Sequence, residues 1–142
     1  MTNEFANWLV ENGLEELITT NAGDTLYINR DKRFGVLKKH GELNVNSFYL
    51  DDIVEIKTYD DEHLVAEWSC MSPLFAHERS TRHSANEVYM KIRMKNQSVL
   101  RLQIFRATKG NIPRNSNGHV NLIGYSVQVT RMVSNAVVEA IK

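Results

Sequence analysis

The stretch Phe48 to Trp68, FYLDDIVEIKTYDDEHLVAEW, decides how the rest of the chain is organised. Ile53 to Tyr59 is rich in β-branched and aromatic residues, Tyr59-Asp-Asp-Glu-His63 supplies turn chemistry, and Leu64 to Trp68 resumes apolar-rich character. This is the pattern of a strand, an acidic turn and a return strand. Asp51-Asp52 ahead of Ile53, and Asp60-Asp61-Glu62 after Tyr59, put carboxylates where the chain leaves a sheet for water.

Working outward, Thr25 to Asn29 and Phe34 to Lys38 read as two short strands joined by the charged turn Arg30-Asp-Lys-Arg33, and Asn46 to Leu50 re-enters extended structure. The clearest alternation lies further on. Met90, Ile92 and Met94 share one side, while Tyr89, Lys91, Arg93 and Lys95 share the other. After the turn Lys95 to Ser98, Leu100, Leu102 and Ile104 continue the apolar face, and Arg101, Gln103 and Phe105 the outer one. An antiparallel hairpin with one wet, basic face follows. Phe5 to Thr19 reads as an N-terminal helix on the spacing of Phe5, Trp8, Leu9, Leu14, Leu17 and Ile18, with Gly13 as a potential break. Ser126 to Ile141 reads as a closing amphipathic helix capped by Ser126 or Asn121. Ser69 to Asn86 and Arg106 to Gly118 read as loops, the first tucked onto the core by Met71, Leu74 and Phe75.

A chain of 142 residues with 42% hydrophobic and 24% charged residues fits one domain with its own core. No apolar run reaches bilayer length and no basic-then-apolar leader is visible, so a cytoplasmic protein is expected. The single cysteine, Cys70, has no internal disulfide partner. The formal net charge of zero hides a division: residues 1–75 hold 6 Lys/Arg against 14 Asp/Glu, a net of 6 − 14 = −8, and residues 76–142 hold 11 against 3, a net of 11 − 3 = +8. Either the second half carries a footprint for an anionic partner, or acidic and basic strands lie side by side with solvated ion pairs between them.

The order of elements resembles the bacterial and phage PH-like (pleckstrin-homology-like) domains of unknown function. Leu26-Tyr-Ile-Asn29 with Lys32-Arg-Phe34, then Phe48 to Ile56, and the closing Ala136 to Ile141 carry the resemblance, which covers Thr25 to Lys142. It implies an α+β, mostly β fold. About seven antiparallel strands would form a bent sheet or partly open barrel, capped by the C-terminal helix. The N-terminal helix over residues 1–22 lies outside it, and the polar, basic Ser69 to Asn86 departs from the glycine- and alanine-rich insertion of many relatives.

Candidate chemistry is sparse. Glu55-Ile-Lys57 has the form of the carboxylate and lysine of a metal-dependent nuclease, which needs a further acid from a neighbouring strand, and only Asp31 or Glu42 could supply it. Cys70, His77 and His83 lack the paired short spacings of structural zinc. No phosphate loop or nucleophile elbow is present, and no cofactor or enzymatic role is expected. Two functions remain. One is a protein-binding or self-associating module acting through a sheet edge, the N-terminal helix or the long loop. The other is binding of an anionic lipid headgroup or nucleic acid by Arg79, Arg82, Lys91, Arg93, Lys95 and Arg101.

Overall fold

The computed structural model describes residues 3–72, 75–77, 84–107 and 116–141. The chain is mostly β, with two antiparallel sheets, a helix at each end and no closure into a barrel. The first sheet runs in the order β1 (Glu15–Thr19), β2 (Thr25–Asn29), β3 (Phe34–Lys38) and β4 (Val45–Tyr49). The second contains β5 (Ile53–Asp60), β6 (His63–Ser69), β7 (Ala76–His77), β8 (Glu87–Met94) and β9 (Val99–Arg106), in the spatial order β7-β6-β5-β8-β9. Phe48 to Trp68 therefore does more than form a hairpin. Through the 3-10 turn Leu50–Asp52 it carries the chain from one sheet into the other.

The N-terminal helix α1 (Asn3–Glu11) ends well short of Thr19, and the reason is Gly13. Gly13 has φ +64; its N–H donates to Val10 O at 3.0 Å, while Leu14 N–H reaches back to Leu9 O at 2.9 Å. This is the Schellman arrangement, closed by contact between Leu9 and Leu14. The chain turns, and Glu15 to Thr19 becomes β1, paired with β2 through a bulge between Glu16 and Ile18. Leu17 and Ile18, spaced to suit a helix, pack instead against the main core.

Helix α1 lies on the outer face of the first sheet, where Leu9, Phe5 and Trp8 meet Tyr27, Val36, Phe34 and Val45 in a small second core. The other face carries Leu26, Ile28, Leu37 and Phe48 into the main core. Covered on both sides, β2 is buried along its whole length. Gly35 lies opposite Phe48, whose ring would stand 2.6 Å from a Cβ at that position, so only glycine lets the ring cross β3.

The second sheet turns Ile56, Val88, Met90, Ile92, Leu102 and Ile104 into the main core, which the C-terminal helix α2 (Ser116–Ile141) joins by packing chiefly on β5 and β6. α2 begins ten residues earlier than its apolar stripe suggests. Leu122 and Ile123 are buried in the added turns, and Ser126, expected as a cap, sits inside the helix with its hydroxyl bonded to Leu122 O at 2.8 Å. Phe105 is a second correction: a bulge shifts the pairing from Val88↔Phe105 to Tyr89↔Gln103, rotating Phe105 from the outer face into the core. Within the long loop, Phe75 packs on the core while Met71 is exposed, and Leu74 lies outside the described residues.

One buried carboxylate joins the two sheets. Asp24, between β1 and β2, accepts the N–H of Gln103 on β9 at 2.8 Å and that of His40 at 2.8 Å, and pairs with Lys39 at 3.1 Å. Ala22 N–H donates to Ile104 O at 3.2 Å, and Lys39 Nζ to Arg101 O at 2.8 Å. Side chains thus do at this seam what strand pairing would do in a closed barrel.

Candidate functional site

The basic hairpin residues divide. Lys91, Arg93 and Arg101 share the outer face of the second sheet, Lys95 lies at the tip of the hairpin, and Arg79 and Arg82 lie outside the described residues. Arg93 donates to Glu55 at 3.1 Å, and Lys57 approaches the same carboxylate at 3.8 Å. The Arg93 hydrogen bond is the main reason that the Glu55 carboxyl titrates below its usual range. Arg101 bonds Glu87 at 2.8 Å and stacks 3.7 Å over the Tyr89 ring, whose phenol burial pushes upward. Lys91 stands over the stacked Tyr59 and Tyr89. Acidic residues interleave with basic ones here, and the Glu55–Arg93 pair joins the acidic half of the sequence to the basic half.

Glu55 and Lys57 project from one face of β5, where Glu67 of β6 lies opposite Lys57, whereas Asp31 and Glu42, the acids expected from the sequence, sit in turns of the other sheet. Cys70 is exposed just past β6, His77 lies on β7, and His83 is outside the described residues. Among the described residues, no three His, Cys, Asp or Glu side chains converge as a metal site.

Sequence reasoning misses a polar seam between β5 and α2. His119 Nε2 and Asp60 Oδ2 are 2.7 Å apart, with side chains 1% and 0% exposed. Thr58 and Thr130 hydroxyls meet at 2.6 Å, and Thr130 and Ser134 hydroxyls bond carbonyls one turn back. Only the alternation of Thr58 and Asp60 with Ile56 on the inward face of β5 hints at it. The seam is enclosed, so it orients the helix and meets no solute.

The feature that faces solvent with chemistry to offer is β4. Strand edges invite pairing with other chains, and folded proteins blunt them. β1 carries Glu15, Glu16 and a bulge; β7 has two residues; β9 is held by Ala22 and the Asp24 carboxylate. β4, Val-Asn-Ser-Phe-Tyr, has no charge, proline or bulge, and among the described residues it pairs with β3 alone. Leu50 N–H donates to Arg33 O at 2.8 Å, one step beyond the Phe34↔Tyr49 pair. Since hydrogen-bonded pairs alternate, Phe48 and Asn46 spend their main-chain groups on β3, and Val45, Ser47 and Tyr49 turn theirs outward.

A groove of about 720 Å³ wraps this edge. Trp8, Phe34 and Tyr49 line it on the α1 side; Phe48, Met94 and Asn96 line it on the side of the β8–β9 turn. Tyr49 is 64% exposed, so its ring is open to contact from solvent. The arrangement offers main-chain donors and acceptors flanked by aromatic rings and Met94, with Asn12, Lys32, Asp52, Asn96 and Ser98 supplying polar and charged groups to the same groove. Comparison with family models, curated proteins and solved structures yields no match for this chain.

Proposed function

We propose that the chain is a non-enzymatic, PH-like interaction module that binds protein by adding a strand to β4. The single observation that carries the reading is the uncharged β4 edge, unpaired on its outer side among the described residues, lying in a groove that Trp8, Phe34, Phe48 and Tyr49 help to line. Strand addition gains affinity from main-chain hydrogen bonds and specificity from alternate side chains, and the outward groups of Val45, Ser47 and Tyr49 with the two groove walls offer both. The PH-like relationship is supported by the element order, two antiparallel sheets followed by a C-terminal helix.

Selection of displayed peptides against the full chain tests this. Ser47→Pro removes an outward N–H that β3 does not use, and proline suits an edge strand. Selected peptides are expected to lose binding to Ser47→Pro and keep it with Ser47→Ala. Peptides indifferent to Ser47→Pro would place the site elsewhere.

A second reading has one observation in its favour: Lys57, Lys91 and Arg101 lie side by side across β5, β8 and β9. Glu67 opposite Lys57, together with Glu55 and Glu87, offsets that row. Retention on anionic liposomes or DNA at low salt, lost on adding salt, would support it.

A further inference from the structure

We infer that the strand added to β4 is β4 of a second copy, in an antiparallel register centred on Ser47; this rests on the edge reading above. A two-fold axis makes a strand its own partner, so the edge must be complementary to itself. Pairing about Ser47 sets Val45 opposite Tyr49 of the second copy, Ser47 opposite Ser47, and Tyr49 opposite Val45. These three residues are the ones whose main-chain groups point outward. The pairs are therefore of the hydrogen-bonded kind, and no donor or acceptor on the edge is left over. A register displaced by one residue would oppose outward groups with inward ones.

The side chains agree with this register. Val45, Ser47 and Tyr49 share the face that α1 covers, and residues directly opposite in an antiparallel pair share a face. The exposed Tyr49 ring then covers Val45 of the second copy. Continuing outward, Leu43 of the second copy, 97% exposed in the single chain, passes Tyr49 toward the mouth of the groove between Trp8 and Phe34. β4 carries no charge, so the two strands meet without repulsion. At the strand ends the register brings Glu42 of one copy toward Asp52 of the other, an acidic pair whose nearest cations are Lys38 of the first copy and Arg33 of the second, the latter already 3.6 Å from Asp51. The two first sheets would become one continuous eight-stranded sheet.

Light scattering on the full chain over a concentration series should show a species of 2 × 16.3 = 32.6 kDa giving way to 16.3 kDa on dilution. Ser47→Pro removes the central pair of hydrogen bonds and should raise the dissociation constant about thirtyfold, with circular dichroism unchanged; Leu43→Asp should raise it as well. Register is read in a Cys70→Ser background. Ser47→Cys should cross-link to a dimer under mild oxidation, because a hydrogen-bonded pair sets its Cα atoms about 5.5 Å apart, within disulfide reach. Asn46→Cys, opposite Phe48, should not.

A dimer that survives Ser47→Pro, or that cross-links as well through position 46 as through 47, overturns the inference. So does a monomer at every concentration. If displayed peptides still bind the β4 edge of such a monomer, the second copy fails and the strand-accepting edge stands; if they do not, both fail.

Discussion

Replacing Asp24 by alanine is the sharpest perturbation of the junction between the sheets. Its carboxylate is 4% exposed and takes two main-chain N–H groups, Gln103 and His40, each at 2.8 Å, and the Lys39 ammonium at 3.1 Å. Gln103 is 2% exposed, so without Asp24 its amide has no water to turn to. Stranding that donor costs about 1–3 kcal/mol, and each hydrogen bond to a charged acceptor contributes about 1.5–3 kcal/mol. His40 and Lys39 recover part of their loss through solvent, so the expected destabilisation is about 3–4 kcal/mol. For a chain of this length that lowers Tm by roughly 10 °C. Urea unfolding should show a lower midpoint with an unchanged slope, and amide exchange at Gln103 and Ile104 should speed up well before the β5 and β8 amides respond. A loss below about 1 kcal/mol, or a Gln103 amide that stays protected, would refute the idea that this carboxylate stands in for strand pairing.

Three further outcomes follow from the same kind of reasoning. Gly13→Ala forces a side chain into a left-handed residue and sets its Cβ 2.8 Å from the Asn29 amide nitrogen, so urea melts should show a loss of about 1–2 kcal/mol. His119→Leu removes one partner of a fully buried carboxylate and should cost about 2–4 kcal/mol, with α2 amides losing protection from the N-terminal end. Glu55 titrates below its ordinary value of 4.5 because Arg93 bonds its ionised form. Its folded pKa is thus depressed, and its contribution to stability is complete above the unfolded pKa and disappears as pH falls through the folded one. Below about pH 4.5, stability of Glu55→Gln should fall less steeply with acid than that of the unsubstituted chain.

What the sequence discloses depends on the range of the interactions involved. The hairpin from Met90 to Ile104 is legible because its period of two is a local property of a strand with one wet face. Gly13 is legible as an interruption but not as a helix terminus, because Leu17 and Ile18 continue helical spacing while serving β1. The first ten residues of α2 contain Gly118, Asn121 and Gly124, and local preference opposes a helix there; packing of His119 against Asp60, 59 residues away, belongs to the tertiary structure. Phe105 breaks its alternation through a bulge at Ile104 that shows only in the pairing with β8. The β4 edge is the least legible feature of all. Nothing in Val-Asn-Ser-Phe-Tyr states that it borders the sheet, since strand order is set by the whole topology, and the outward direction of Ser47 follows only from the register with β3.

Residue-resolved amide exchange along β4, in dilute and in concentrated protein, tests the central claim most directly. In the dilute chain Asn46 and Phe48 should exchange slowly, and Val45, Ser47 and Tyr49 quickly. On concentration the three fast amides should become protected while the other two stay as they were. Protection that leaves those three amides fast and grows instead around Lys91 and Arg101 on the outer face of the second sheet would contradict the account.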